Sequence, residues 1–153
     1  MYIHLLSVKP ARSECVCTSL RMATRSVSRL YDRALSQAGL RVTGYSILCR
    51  LADEGPLSVG ELAGLLAMER TTCTREVAPL IRAGLVDAAA GTDRRRRVLR
   101  LTSLGEQKRA DAHPIWERVQ LQVAAEFGGA EIEDLLIQLR RLTGGSERLA
   151  GND

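Results

Sequence analysis

The side chains best suited to chemistry in this chain lie between positions 70 and 101. Eight arginines stand there (Arg70, Arg75, Arg82, Arg94, Arg95, Arg96, Arg97 and Arg100) against Glu76, Asp87 and Asp93. The segment carries +5 in a chain whose total is +4, so everything else comes to −1. Charge gathered in one place is the electrostatic footprint expected of a surface that meets a polyanion. Composition alone leaves a second reading open, a solvated arginine-rich loop. Arg70, Thr71, Thr72, Thr74 and Arg75 add hydroxyls to the charge. Guanidinium groups grip phosphate or guanine through paired hydrogen bonds, and threonine reaches phosphates or a thymine methyl.

The second candidate chemistry is that of thiols. Cys15 and Cys17 sit where a helix begins, and a helix N-terminus favours a thiolate. Arg21 stands one turn on to assist, while Glu14 opposes. Two readings remain open, a redox switch at Cys17 with Cys15 as a strained resolving partner, or two ordinary thiols. Cys49 and Cys73 read as small core residues. The two histidines, His4 and His113, share no ligand spacing with the cysteines, so neither metal nor cofactor is expected. No nucleophile–base pairing is visible. A peroxide-reacting enzyme or sensor working through Cys15 and Cys17 is therefore the weaker alternative to a binding protein.

These groups need elements to position them. The chain has 153 residues, 45% apolar, 26% charged and only 3% aromatic, which suits one domain with an aliphatic core. No apolar run approaches a membrane span or a secretory signal, so a cytoplasmic protein without membrane contact is expected. Val16, Leu20, Ala23, Val27, Leu30 and Ala34 recur at helical spacing, predicting a helix over residues 14–37 that Gly39 stops. The Arg21, Arg25, Arg29 and Arg33 row beside that stripe reads as a solvated face. A second helix is expected over 43–53 with Ile47, Leu48 and Leu51 inward. Ser58 and Glu61 have capping-box spacing, with Leu57 and Leu62 as the staple. After a break at Ala67-Met68, a fourth helix is expected over 69–83, ended by Gly84. Cys73, Val77 and Leu80 face inward, Thr71, Thr72, Arg75 and Arg82 outward, Thr74 lies at the flank, and Pro79 should kink it.

A hairpin over 85–89 and 97–101 follows, its tip carrying Asp93, Arg94, Arg95, Arg96 and Arg97. Thr102 or Ser103 then caps a long helix to about residue 126, with Glu106 completing a second box from Ser103 and Pro114 bending it. Gly128-Gly129 break the chain before a last helix carrying Ile132, Leu135, Leu136, Leu139 and Leu142. The ending GGSERLAGND reads as frayed.

Two short helices, a tight break, a basic hydroxyl-rich helix face and a basic hairpin are the order of a winged helix-turn-helix. The expected fold is mainly α with a small β-wing. An arm and first helix occupy 1–40, the DNA-binding lobe 41–102, and the C-terminal helices 103–153. The helix over 69–83 would enter the major groove and the hairpin tip the minor groove. One such lobe reads one half-site, so a twofold homodimer on a pseudo-palindromic duplex is the default, built from the apolar stripes of the terminal helices. The plainer alternative is that those stripes close the core of a single chain.

The run from Leu57 to Glu106 resembles the multiple-antibiotic-resistance regulator (MarR) family. The resemblance rests on Thr72–Arg75 (T-x-T-R), Gly84-Leu85-Val86, Asp93-Arg94-Arg95 and Leu101-Thr102-x-x-Gly105. It implies a sequence-specific transcriptional regulator, mostly a repressor, released by a small phenolic or lipophilic ligand or by thiol oxidation. In that resemblance Asp93 positions Arg94 for the minor groove, and an effector pocket lies between the lobes. Trp116 and Tyr31 are candidate lining for such a pocket, with plain core as the other reading. Residues 17–45 are similar to the organic-hydroperoxide regulators of the family. Cys17 stands at their reactive position and Tyr45 at one tyrosine, while Val42 replaces the other.

Overall fold

The computed structural model describes residues 15–90 and 97–151. The predicted hairpin tip, including Asp93, Arg94, Arg95 and Arg96, and residue Glu14 lie outside the described residues. Helix α1 spans Val16–Leu35 and passes through a 3-10 turn, Ser36–Ala38, to Gly39 at φ 67°. Helix α2 spans Val42–Glu54. No side chain of its own N-cap holds its first turn. Asp32 of α1 does so, accepting the Val42 N–H at 2.8 Å and the Arg41 guanidinium at 3.3 Å. This long-range cap sets the corner between the two helices.

Strand β1, Leu57–Ser58, leads into α3, Val59–Leu65. The capping box is formed: Ser58 Oγ accepts the Glu61 N–H at 3.2 Å, and the Glu61 carboxylate accepts the Ser58 N–H at 2.8 Å. Helix α4 spans Arg70–Arg82 and stays one element through Pro79. Strands β2, Val86–Ala90, and β3, Arg97–Leu101, complete an antiparallel sheet in the order β1-β3-β2. Leu57 pairs with Leu99 and Val86 with Leu101. The third strand was absent from the sequence expectation, where Leu57 served only as a staple. Two residues show no alternation, and β1 exists only because β3 offers it a partner.

Helix α5 spans Ser103–Phe127 and α6 spans Gly129–Ala150, separated by Gly128 at φ 89°. Thr102 provides the α5 cap, its Oγ1 accepting the Gly105 N–H at 3.0 Å. Ser103 makes no second box, since Glu106 is instead bound by Arg109 at 2.6 and 3.0 Å. Residues 144–150 continue α6, correcting the frayed ending. The Gly144-Gly145 pair weakens a helix by roughly 1 kcal/mol per glycine but blocks no hydrogen bond.

The core gathers Leu35, Ile47, Leu48, Leu62, Cys73, Val77, Val86 and Leu99 between α2, α3, α4 and the sheet. Tyr31, Ala112 and Val119 extend it onto α1 and α5. The α1 stripe does not close this core: Val16, Val27 and Leu30 are exposed, and α6 buries no residue.

Candidate nucleic-acid interface

The turn between α3 and α4 is built on Ala67 in the left-handed region, at φ 50°. Such a residue costs roughly 1–2 kcal/mol when it is not glycine. The Ala67 N–H donates to Gly64 O and the Met68 N–H to Ala63 O at 2.8 Å, which holds the chain in that turn. Helix α4 then leaves with Cys73, Val77 and Leu80 packed inward. Burial, with Glu76 nearby, pushes the Cys73 thiol up, so it behaves as an apolar filler.

The outward face carries Arg70, Thr71, Thr74, Arg75 and Arg82, all exposed. Thr72 differs from its predicted outward position, being half-buried, whereas Thr74 is exposed. Both flank Cys73, and only one flank is covered. The Thr74 hydroxyl donates to Arg70 O at 2.9 Å, and Arg75 Nη2 donates to Thr72 Oγ1 at 3.4 Å. Those bonds leave the rest of the Arg75 fork free to grip a base or a phosphate. Glu69 stands at the N-cap without a capping bond, so the first-turn N–H groups of α4 remain open donors towards an anion.

The wing is anchored tightly to the lobe. Gly84, at φ 70°, lets the Leu85 N–H reach Leu80 O and turns the chain from α4 into β2. The Thr102 hydroxyl donates back to Gly84 O at 2.7 Å, and the Thr102 N–H to Leu85 O. Gly105 completes the junction. A Cβ there would overlap the Leu85 carbonyl oxygen and crowd Leu101. On β3, Arg97 and Arg100 are exposed on either side of buried Leu99, so arginines continue from α4 onto the wing strand.

The thiol and aromatic candidates fall in two different places. Cys15 is the N-cap of α1, and N–H groups of Thr18 and Cys17 with the Thr18 hydroxyl hold its thiol below the usual range. Cys17 is exposed and lines a groove with Leu20, Arg21 and Leu142. Tyr45 and Trp116 meet elsewhere, in a cavity between α2 and α5. Within one chain the structure therefore does not bring Tyr45 to Cys17. Tyr31 is in neither cavity: it is buried and its hydroxyl donates to Gln120 of α5.

Sequence reasoning missed the neighbours of Tyr45. Its hydroxyl lies 2.9 Å from His113 Nδ1, and the His113 ring stacks on Trp116 with centroids 5.6 Å apart. Burial first, then Cys49, pushes the Tyr45 hydroxyl up. The signal was present as the i, i+4, i+7 spacing of Arg109, His113 and Trp116, facing the i, i+4 pair Tyr45 and Cys49. Among the described residues no group of His, Cys, Asp or Glu assembles as a metal site, and no helix is long and apolar enough to cross a membrane.

The model of the MarR family matches residues 40–98. The chain is 34% identical to the M. tuberculosis transcriptional regulator MosR solved in complex with DNA, with a TM-score of 0.81. That alignment covers 89% of this chain and 98% of MosR. An uncharacterised HTH-type transcriptional regulator of Bacillus subtilis, YwoH, is 25% identical over 108 residues, 71% of this chain and 79% of its own length. Wild-type MarR from E. coli shares the fold, with a TM-score of 0.68 at 18% identity over 84% of this chain and 97% of its own.

Proposed function

This chain belongs to the MarR family of transcriptional regulators, which are not enzymes, and from that premise we propose that it is a homodimeric repressor of its own operator. The observation that carries the proposal is the outward face of α4, where Arg70, Thr71, Thr74 and Arg75 stand exposed on a helix whose N-terminus has no side-chain cap. Arg75 reads a base in the major groove, and Arg70 with the open N–H groups holds phosphates. The wing arginines Arg94 to Arg97, with Asp93 beside them, follow the backbone and the minor groove. The operator is a pseudo-palindrome because two lobes read two half-sites. The unburied α6 supports the dimer: Leu135, Leu136, Ile137 and Leu142 stand exposed, as do Val27 and Leu30 of α1. The protein acts in the compartment that holds the DNA, the cytoplasm.

Release follows either a small lipophilic or phenolic ligand in the cavity of Tyr45 and Trp116, or oxidation at Cys15 and Cys17. The pair is exposed, and Cys15 is held below its ordinary value by the donors around it. Fluorescence anisotropy on DNA from upstream of the protein's own gene tests both parts, using reduced and hydroperoxide-treated protein side by side. Log affinity should fall with log salt by about 0.9 per phosphate neutralised. Arg75→Ala should cost roughly 1–3 kcal/mol at one base pair, while Arg94→Ala should weaken all sequences together. Unchanged sequence preference in Arg75→Ala rejects the α4 assignment. Equal binding before and after peroxide, with release by a phenolic ligand, moves the signal from Cys15 and Cys17 to the cavity.

A further inference from the structure

Cys49, expected in the core, is half-buried: it packs against the core cluster and also lines the cavity between α2 and α5. The cavity measures about 460 Å³, within the range of roughly 300–1,000 Å³ that holds small organic ligands. Its other lining residues include Tyr45, Arg109, His113 and Trp116, with Arg50 and the acid Asp53. Tyr45 and Arg109 line the cavity together with the Cys49 thiol. Arg109 is itself held in place by the two hydrogen bonds to Glu106, so its charge is fixed at the cavity wall. His113 and Trp116 supply a stacked aromatic surface, with the Tyr45 ring 6.0 Å from Trp116. A nucleophile, a fixed cation, a hydroxyl and an aromatic wall thus converge on one space. A non-covalent phenol would need the last three. Only a ligand that reacts with sulfur would also use the first.

We propose that Cys49 is a covalent capture site for small planar electrophiles of the α,β-unsaturated carbonyl class. This rests on the reading of the chain as a regulator that takes its signal in this cavity. The Cys49 sulfur bonds to the β-carbon, and the alkene π pair moves towards the carbonyl, whose oxygen gathers charge beside Arg109. The proton lost from sulfur to solvent is replaced by one taken up at the α-carbon, so the adduct is the sum of thiol and electrophile. No oxidant or reductant is consumed. Trp116 and His113 stack on the ring of the ligand, and Arg109 orients its carbonyl.

The test uses N-phenylmaleimide on the full chain carrying Cys15→Ser and Cys17→Ser, which leaves Cys49 and buried Cys73 as the only thiols. Intact mass should show one adduct per chain, and peptide mapping should place it on Cys49. The rate at pH 7 should exceed that of N-acetylcysteine at least tenfold and should saturate with N-phenylmaleimide concentration, as prior binding requires. The fluorescence of Trp116, the single tryptophan, should change in step. Arg109→Gln should slow capture about tenfold. A rate at or below that of the free thiol, or one strictly linear in reagent concentration, overturns the proposal. The saturation test needs no variant, so it decides the matter even if Arg109→Gln fails to fold. Capture is read by mass, without DNA. A chain that forms the adduct but never binds DNA overturns the regulator reading and leaves the capture site standing.

Discussion

Among the described residues, every buried hydrophobic side chain lies between Tyr31 and Val119, whereas α6 runs for 22 residues and buries none. The middle of the chain packs α2, α3, α4 and the sheet around Leu48 and Leu62, each fully enclosed. The ends have apolar residues at the same helical spacing, yet Leu135 is 49% exposed and Val16 61%. Periodicity says which side chains seek burial but not which molecule buries them. In the middle lobe that partner is the chain itself. At the ends the partner we propose is a second copy, because exposed apolar side chains gathered on one element mark an interaction surface.

Leu48→Ala breaks the comparison at its strongest point. It removes a fully buried side chain between α2 and its neighbours and should cost about 2–5 kcal/mol in chemical denaturation. Leu135→Glu attacks the other side. It should leave the monomer's secondary structure by circular dichroism intact, yet weaken dimer association by about 2 kcal/mol in sedimentation equilibrium. A Leu135→Glu protein that unfolds like Leu48→Ala would show that α6 belongs to the chain's own core after all. Ser58→Ala tests the local layer beneath both. Losing the capping box should cost about 1 kcal/mol of stability without altering association. The smallest effect is expected from Arg29→Ala, on the solvated α1 row, at under about 0.5 kcal/mol in thermal melting.

Much of the lobe could be read from local signals. The Ser58 and Glu61 box, the Ala67-Met68 break, the Gly84 stop and the inward face of Cys73, Val77 and Leu80 all follow from contacts within a turn or two. Local signals failed where two candidates competed for one role. Ser103 and Glu106 have the same spacing as Ser58 and Glu61, but Thr102 takes the cap and Arg109 takes the carboxylate. They failed again where the partner is distant in the chain, as with Asp32 capping α2 and β1 pairing with β3.

Residue spacing alone settled the order of the helices, the inward face of α4 and the outward placing of Thr71, Arg75 and Arg82, though not that of Thr72. Each of these depends on residues three or four apart, whose relative positions the helix repeat settles in advance. Packing between helices was needed to give Cys49 a cavity beside the core, to bring His113 to Tyr45, and to leave the stripes of α1 and α6 uncovered. A cavity is the space left between helices more than fifty residues apart. Its walls depend on how those helices pack, and no repeat within either helix carries that information.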